Sequence, residues 1–289
     1  MHFVRKLSEP GMWDRILRER FAEPLRLNML SIGVAAFGSF RRKVDFDLVV
    51  RRQNAFSILK AADFAAKQGV NEVCIVEFGV AAGAGIVNMV ELAARTTKET
   101  GVRFRVAGFD TGAGMPPAKD YRDHPELYQE GDFRMDRERL ERRLAGGAEL
   151  HIGDIAETLP AFLGTLTPAG PIGYVAIDVD YYTSAVEALR VFEGPADCYL
   201  PVTLVYLDDI AHEEHNAWAG ELLAVREFNE RHEFRKIERH AFLETGRIFQ
   251  RAPWIKHVWY LHVLDHPRRN DTASRRPALE LANPYLAGD

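Results

Sequence analysis

The stretch EVCIVEFGVAAGAG, residues 72–85, decides the fold of this chain. A short apolar run passes without interruption into a loop that contains three glycines. The helical pattern that follows, from Ile86 to Arg95, completes a strand–loop–helix unit. Glycines at this point let the chain turn tightly and let a ligand approach the start of the helix.

The spacing of the glycines indicates which ligand this loop can take. A dinucleotide site needs G-x-G-x-x-G, but the segment from Gly83 reads GAGIVN and lacks the third glycine. What remains is the acidic Glu77, followed by Gly79 and Gly83 in a G-x-x-x-G spacing. A carboxylate here would repel a phosphate and attract an ammonium group. The loop is therefore predicted to surround an uncharged or zwitterionic ligand.

Outward from this loop, short apolar runs alternate with helix-length segments between about residues 72 and 210. The runs are residues 72–78, 103–109, 149–152, 174–177 and 202–207. Runs of this length suit strands that are buried on both faces, and their alternation with helices predicts βαβ units in a parallel sheet. A helix (218–231) and two further strand-like runs (234–240 and 258–264) follow, and Ser184 and Glu187 are spaced as a capping box that opens a helix.

Acidic residues follow the predicted strands at their carboxyl ends. Asp110 ends the second strand, where an acid can accept hydrogen bonds from both ribose hydroxyls, and Asp154 follows the third, where it could meet an adenine amine. A single acid at a strand end is more often a helix cap or a turn residue. Three acids in this order after three successive strands, beginning with Glu77, favour a nucleoside-binding site.

Four sequence elements resemble class I S-adenosylmethionine-dependent methyltransferases, and within them the macrocin O-methyltransferase-like, metal-dependent group. The elements are DTGAGMP (110–116), GDIAETLP (153–160), IDVDYYTS (177–184) and YLDDI (206–210). The resemblance covers about residues 70 to 265. It implies a Rossmann-like α/β fold with a seven-stranded, mostly parallel sheet and helices on both faces.

The resemblance also implies roles for individual residues. Glu77, Gly79 and Gly83 would form the S-adenosylmethionine loop, Asp110 would hold the ribose, and Asp154 would lie near the adenine. The ligands of Mg²⁺ or another divalent cation would be three aspartates: Asp178, Asp208 and Asp209.

Physical chemistry supports the three metal ligands independently. Asp178 ends the fourth strand and Asp208 and Asp209 end the fifth, and neighbouring strands lie about 4.8 Å apart. Carboxylates gathered at one sheet edge repel one another and need a cation, and oxygen ligands suit Mg²⁺ better than zinc. Asp180 is predicted to cap the next helix instead.

A metal-bound acceptor hydroxyl would still need a base, and the candidates are His124, Tyr181 and His212, with His215 beside them. The segment HEEH at 212–215 does not have the H-E-x-x-H spacing of zinc proteases. Surface positions are the alternative explanation for these histidines.

Composition excludes several classes of protein. The chain has 289 residues, a formal net charge of −5 and 47% hydrophobic residues, which disfavours a nucleic-acid binder and suits a globular enzyme. Its two cysteines cannot form a disulfide framework, and no apolar run approaches a membrane span, so a cytoplasmic protein with no membrane partner is expected.

We divide the chain into three parts. Residues 1–70 form a helical extension that serves as a lid or dimer contact, residues 71–266 form the methyltransferase domain, and residues 267–289 form a polar, mobile tail. The expected partner is a small-molecule acceptor, a sugar or a phenol, with a homodimer possible. Three alternatives stay open: a metal-independent N-, C- or O-methyltransferase, a nicotinamide-dependent oxidoreductase, and a non-catalytic binding protein.

Overall fold

The computed structural model describes residues 23–211 and 213–271. The first helical pattern of the sequence, which rests on Trp13, Ile16, Leu17 and Phe21, lies outside these ranges. From residue 23 onward the amino-terminal part is helical, as predicted. Its helices are α1 (Leu25–Phe37), α2 (Phe40–Asp45) and α3 (Arg52–Lys67).

Seven strands form one sheet in the order β3-β2-β1-β4-β5-β7-β6. Strands β1 to β5 are parallel to one another, and β7 runs antiparallel to both β5 and β6. The strands are β1 (Glu72–Phe78), β2 (Arg103–Asp110), β3 (Glu149–Ile152), β4 (Ile172–Ile177), β5 (Tyr199–Leu207), β6 (Arg235–Arg239) and β7 (Val258–Val263). The predicted seven-stranded, mostly parallel sheet is confirmed.

The helices after α3 follow the predicted alternation with the strands. They are α4 (Ala84–Thr100), α5 (Arg137–Leu144), α6 (Ile155–Leu163), α7 (Tyr182–Leu189), α8 (Gly220–Arg231), α9 (Leu243–Gly246) and α10 (Pro267–Asn270). The last of these lies in the segment predicted to be a mobile tail, so that segment begins with a helical turn.

Helices cover both faces of the sheet, each over its own apolar core. Apolar residues of α3, α4 and α5, such as Ile58, Met89 and Leu140, pack on one face. Residues of α6, α7 and α8, such as Phe162 and Phe228, pack on the other. The central strands are short apolar runs because both of their faces are buried.

The predicted capping box is wrong. Helix α7 begins at Tyr182, so Ser184 lies inside the helix, and the N-cap residue Tyr181 makes no side-chain cap hydrogen bond. The cap comes from elsewhere in the chain, because a carboxylate oxygen of Asp123 accepts the Thr183 amide at 2.9 Å. Asp180, which we predicted to be the cap, instead forms hydrogen bonds with Tyr128 and Asp209.

Strand register brings the carboxyl ends of the central strands to one level. Phe78 of β1 lies opposite Phe109 of β2 and Ile177 of β4, and Ile177 in turn lies opposite Leu207 of β5. The residues that follow these positions therefore meet at one edge of the sheet. Ligands bind at this edge in parallel α/β sheets, where the chain reverses its direction of winding between β1 and β4.

Candidate active site

A cavity of about 380 Å³ opens at this edge of the sheet. Its lining includes the glycine loop after β1, the ends of β2, β4 and β5, and the segment after β2. The lining residues are Arg51, Glu77, Gly79, Val80, Ala81, Ala82, Ala84, Gly85, Phe109, Asp110, Thr111, Gly114, Met115, Pro116, Phe133, Ile155, Asp178, Val179, Asp180, Ser184 and Asp208. Of the predicted cofactor and metal residues, the cavity lining includes Glu77, Gly79, Asp110, Asp178 and Asp208 but not Gly83, Asp154 or Asp209.

Glu77 lies at the base of this cavity with only 3% of its surface exposed. Its carboxyl group accepts a hydrogen bond from the Ile86 amide, while its Oε2 atom has no hydrogen-bond partner among the described residues. Burial raises the pKa of Glu77 to about 8, against the opposing effect of the positive charge on Arg51. A cationic group that entered the cavity would find an unsatisfied acceptor there.

Two glycines make room for this carboxyl group and for the strand behind it. A Cβ atom on Gly85 would lie 1.8 Å from Glu77 Oε1, and one on Gly79 would lie 1.6 Å from the carbonyl oxygen of Asp178. Gly79 also has a φ of 85°, a conformation that glycine adopts without strain. Packing therefore requires glycine at both positions, against Glu77 at Gly85 and against the end of β4 at Gly79.

Asp110 and Asp154, the predicted ribose and adenine contacts, lie in different surroundings. Asp110 lines the cavity, and its two carboxylate oxygens accept the amides of Ala81 at 2.8 Å and Gly112 at 2.6 Å. Asp154 is exposed and caps α6 by accepting the Ala156 amide at 2.8 Å. The next residue, Ile155, lines the cavity in its place, so the roles of both acids stay predictions.

The three aspartates predicted to hold a metal lie close together. Asp178, Asp208 and Asp209 each offer a carboxylate oxygen, and these atoms all lie within 4.8 Å of one another. Burial and the charges of the other two acids raise the pKa of Asp178 well above its usual range. The pKa of Asp209 is raised to about 8 by burial and by the charge of Asp180.

Around these aspartates lie groups that the sequence did not single out. Glu221, only 1% exposed at the start of α8, accepts the Asp209 amide at 3.2 Å, and the Tyr206 hydroxyl donates to Asp208. Asp180 interacts by hydrogen bonds with Asp209 and with Tyr128 from the segment after β2. Tyr206 and Asp180 lie within the recognised motifs, but sequence spacing carried no signal for Glu221 and Tyr128, which reach the site from a helix start and a loop outside the motifs.

The candidate bases lie beside the acids rather than in the cavity lining. His124 is 2% exposed, stacks on the His215 ring at 5.0 Å and has its Nδ1 atom 3.0 Å from Glu126. His215 Nε2 lies 3.3 Å from the Tyr128 hydroxyl. Tyr181 is buried, with its ring 6.1 Å from that of Tyr128.

The third candidate, His212, lies outside the described residues. The catalytic base therefore stays a prediction.

Within the described ranges, no helix is long and apolar enough to span a membrane.

Comparison with known proteins gives structural neighbours but no relative in sequence. No protein-family profile and no curated protein sequence matches the chain. The O-methyltransferase NovP is 16% identical over 73% of this chain and 79% of its own, with a TM-score of 0.49. The calicheamicin methyltransferase CalS11 is 22% identical over 71% of this chain and 77% of its own, with a TM-score of 0.47.

A third solved structure, the O-methyltransferase TomG from Streptomyces achromogenes, is 15% identical over 73% of this chain and 88% of its own, with a TM-score of 0.36. All three are methyltransferases, the class that the sequence elements resemble. Because each identity is below 25% and each TM-score is below 0.5, we base the proposal for the function of this chain on its own residues.

Proposed function

We propose that this chain is an S-adenosylmethionine-dependent methyltransferase that methylates a hydroxyl oxygen of a small natural product with the help of a divalent cation. The observation that carries the proposal is the meeting of four acids at one cavity, on strand ends held at one level by register: Glu77, Asp110, Asp178 after β4 and Asp208 after β5. A site for a cationic nucleoside and a site for a metal would then be neighbours.

The residues fit the cofactor in charge and shape. S-adenosylmethionine carries a sulfonium and an ammonium group, and the cavity offers the buried, unpartnered Oε2 of Glu77 together with four lining aspartates. Gly79 and Gly85, which have no side chain to fill the space, line the cavity together with Glu77. Asp110, whose two carboxylate oxygens accept backbone amides, would orient a ribose.

For methyl transfer, the protein must align the acceptor oxygen with the methyl group and remove the proton of the acceptor hydroxyl. Bound S-adenosylmethionine supplies an electrophilic methyl group, which the acceptor oxygen attacks as the carbon–sulfur bond breaks and its electron pair stays on sulfur. Asp178, Asp208 and Asp209 would hold a divalent cation, which lowers the pKa of an acceptor hydroxyl. A side chain such as His124, Tyr181 or His212 would take the proton.

The test is calorimetric titration of S-adenosylmethionine and, separately, of Mg²⁺ or Mn²⁺. We expect the wild type to bind both, and Asp178→Ala to weaken cation binding by roughly 10-fold or more, because one charged oxygen ligand is lost. Asp197→Asn, which changes an exposed aspartate elsewhere on the surface, is the matched control and should bind both as the wild type does.

Each part of the proposal can fail separately. A wild type that binds no S-adenosylmethionine but does bind NAD(H) would overturn the whole proposal in favour of the oxidoreductase alternative. Cofactor binding with O-methylation that a chelator does not inhibit would overturn only the metal. Cofactor binding without turnover over a panel of sugars and phenols would favour the binding protein.

A further inference from the structure

Arg51 is the only basic residue among those that line the cavity in the described part of the chain. All the other charged lining residues are acids, namely Glu77, Asp110, Asp178, Asp180 and Asp208. A ligand with a carboxylate would be repelled by this lining everywhere except at Arg51. The position of the single cation therefore bears on how an amino-acid ligand is oriented.

Arg51 is held in place by strained but well-anchored backbone. It precedes α3 with φ 51° and ψ 67°, a left-handed conformation that costs free energy in a residue other than glycine. Its carbonyl oxygen accepts the Ala55 amide at 3.0 Å, and the same helix is tied to the sheet by the buried hydrogen bond from the Tyr174 hydroxyl to Asn54 at 2.7 Å. Strain of this kind persists where the surrounding structure imposes it, often at ligand sites.

The guanidinium of Arg51 has N–H donors that no described residue accepts. Within the described residues its side chain forms no hydrogen bond and no ion pair within 4 Å, although its charge acts on both Glu77 and Tyr174. A guanidinium offers five N–H donors in a planar fork that matches a carboxylate. It therefore lies above the ends of β1 and β4 with its hydrogen-bonding capacity open to the cavity.

We propose that Arg51 binds the α-carboxylate of the S-adenosylmethionine methionyl group, while Glu77 faces the α-ammonium group. This inference rests on the proposed function and adds to it a specificity residue that lies outside every motif of the sequence. A bidentate pair with Arg51 would offset the repulsion from the lining acids and fix the direction in which the sulfonium points. The cavity would then select amino-acid-bearing nucleosides over nucleosides that lack the carboxylate.

The experiment compares two ligands that differ only in this group, S-adenosylmethionine and its decarboxylated form, by calorimetric titration. We expect the wild type to bind S-adenosylmethionine roughly 10- to 100-fold more tightly, since a hydrogen-bonded charge pair would be lost with the carboxylate. Arg51→Met should bring S-adenosylmethionine down to the affinity of the decarboxylated ligand. The affinity of the decarboxylated ligand itself should stay unchanged or rise, because one repelling positive charge is gone.

Two further variants complete the design. Arg51→Lys keeps the charge but not the fork and should lose only part of the discrimination. Arg42→Met removes an exposed arginine from the neighbouring α2 and should behave as the wild type. Methionine at position 51 has the same backbone strain as arginine, so a circular dichroism spectrum and a thermal unfolding curve like those of the wild type are expected.

The outcomes separate this inference from the proposed function. A wild type that binds both ligands equally overturns the role of Arg51 without the need for any variant. Equal binding of S-adenosylmethionine by wild type and Arg51→Met also overturns it and would assign Arg51 to the acceptor instead. If the wild type binds neither ligand, the proposed function itself fails.

Discussion

At the scale of single residues, Glu77 is buried and its Oε2 atom has no hydrogen-bond partner among the described residues. Both features cost free energy of folding when no ligand is bound. A buried carboxyl group with a free oxygen is destabilising when it is charged, which is why its pKa rises to about 8. Its retention beside Gly85, where no Cβ atom fits, indicates that the group serves the cavity rather than the core. Because burial shifts the pKa of Glu77, its ionisation can be measured as a pH dependence of the free energy of unfolding.

The first prediction concerns the pH dependence of stability. Because the pKa of Glu77 is higher in the folded chain than its usual 4.5, its contribution is complete below about pH 4.5 and is lost as the pH rises to about 8. With a chelator present, the free energy of unfolding should fall over this range. Glu77→Gln should reduce that slope by up to about 1.4 kcal/mol per pH unit.

Urea unfolding at a series of pH values measures this slope. Asp209, whose pKa is also raised to about 8, contributes with the same sign, so a residual slope is expected in Glu77→Gln. Glu99→Gln, an exposed change on α4, is the control. Equal slopes for Glu77→Gln and the wild type would show that Glu77 is ionised in the folded protein.

At the scale of secondary-structure elements, one buried carboxylate connects the segment after β2 to the helix after β4. Asp123 has no exposed surface, and its two oxygens accept the amides of Thr183 at 2.9 Å and Lys119 at 2.9 Å. Helix α7 follows directly after Asp178 and Asp180, so its start fixes the end of the acidic segment. Asp123 thereby holds the segment that includes His124 and Tyr128 against the site.

The second prediction is that Asp123→Ala lowers the free energy of unfolding by about 2 kcal/mol, since it removes a helix cap and leaves the partly buried amide hydrogen bonds of Thr183 and Lys119 without their acceptor. Denaturant titration checks this value. Asp136→Ala, which removes the exposed cap of α5, should cost about 1 kcal/mol or less. If the two variants were equally stable, Asp123 would not be the anchor of this segment.

At the scale of the whole molecule, a buried ion pair joins positions 200 residues apart in the chain. Arg247 donates to Asp47 at 2.7 Å and to the Val44 carbonyl at 2.8 Å, and the Trp254 indole donates to Asp47 at 3.2 Å. The guanidinium also lies 5.3 Å from the ring centres of Phe56 and Trp254. This cluster fixes the helices that carry Arg51 to the segment before β7.

The third prediction is that Arg247→Met lowers the free energy of unfolding by about 3 kcal/mol or more, because it removes the guanidinium that donates a hydrogen bond to the buried Asp47 carboxylate. The double variant with Asp47→Asn should lose less than the sum of the two single changes. Arg239→Met, which breaks an exposed pair with Glu244, should cost less than about 1 kcal/mol. Additive losses in urea unfolding would argue against a coupled pair.

The sequence predicted the sheet and the glycine-containing loop after β1 well, and for a physical reason. Strands buried on both faces must be short apolar runs, so the strand-like runs at 72–78, 103–109 and 149–152 could be recognised from composition alone. It failed at the cap of α7, because spacing pointed to Ser184 while the true acceptor, Asp123, is brought from a distant loop. The proposed homodimer and the parts played by His124, Tyr181 and His212 stay predictions.

The sequence by itself determined the order of strands and helices, the glycine loop around Glu77 and the acids at the strand ends, since each depends on residues close together in the chain. Only the tertiary structure decided that Asp178, Asp208 and Asp209 lie within 4.8 Å of one another, because strand pairing sets that distance. It alone brought Glu221 to the Asp209 amide, and it made Arg51 part of the lining of an acidic cavity. Such contacts leave no pattern in the sequence, because the residues that make them are far apart in the chain and meet only when the helices and strands pack together.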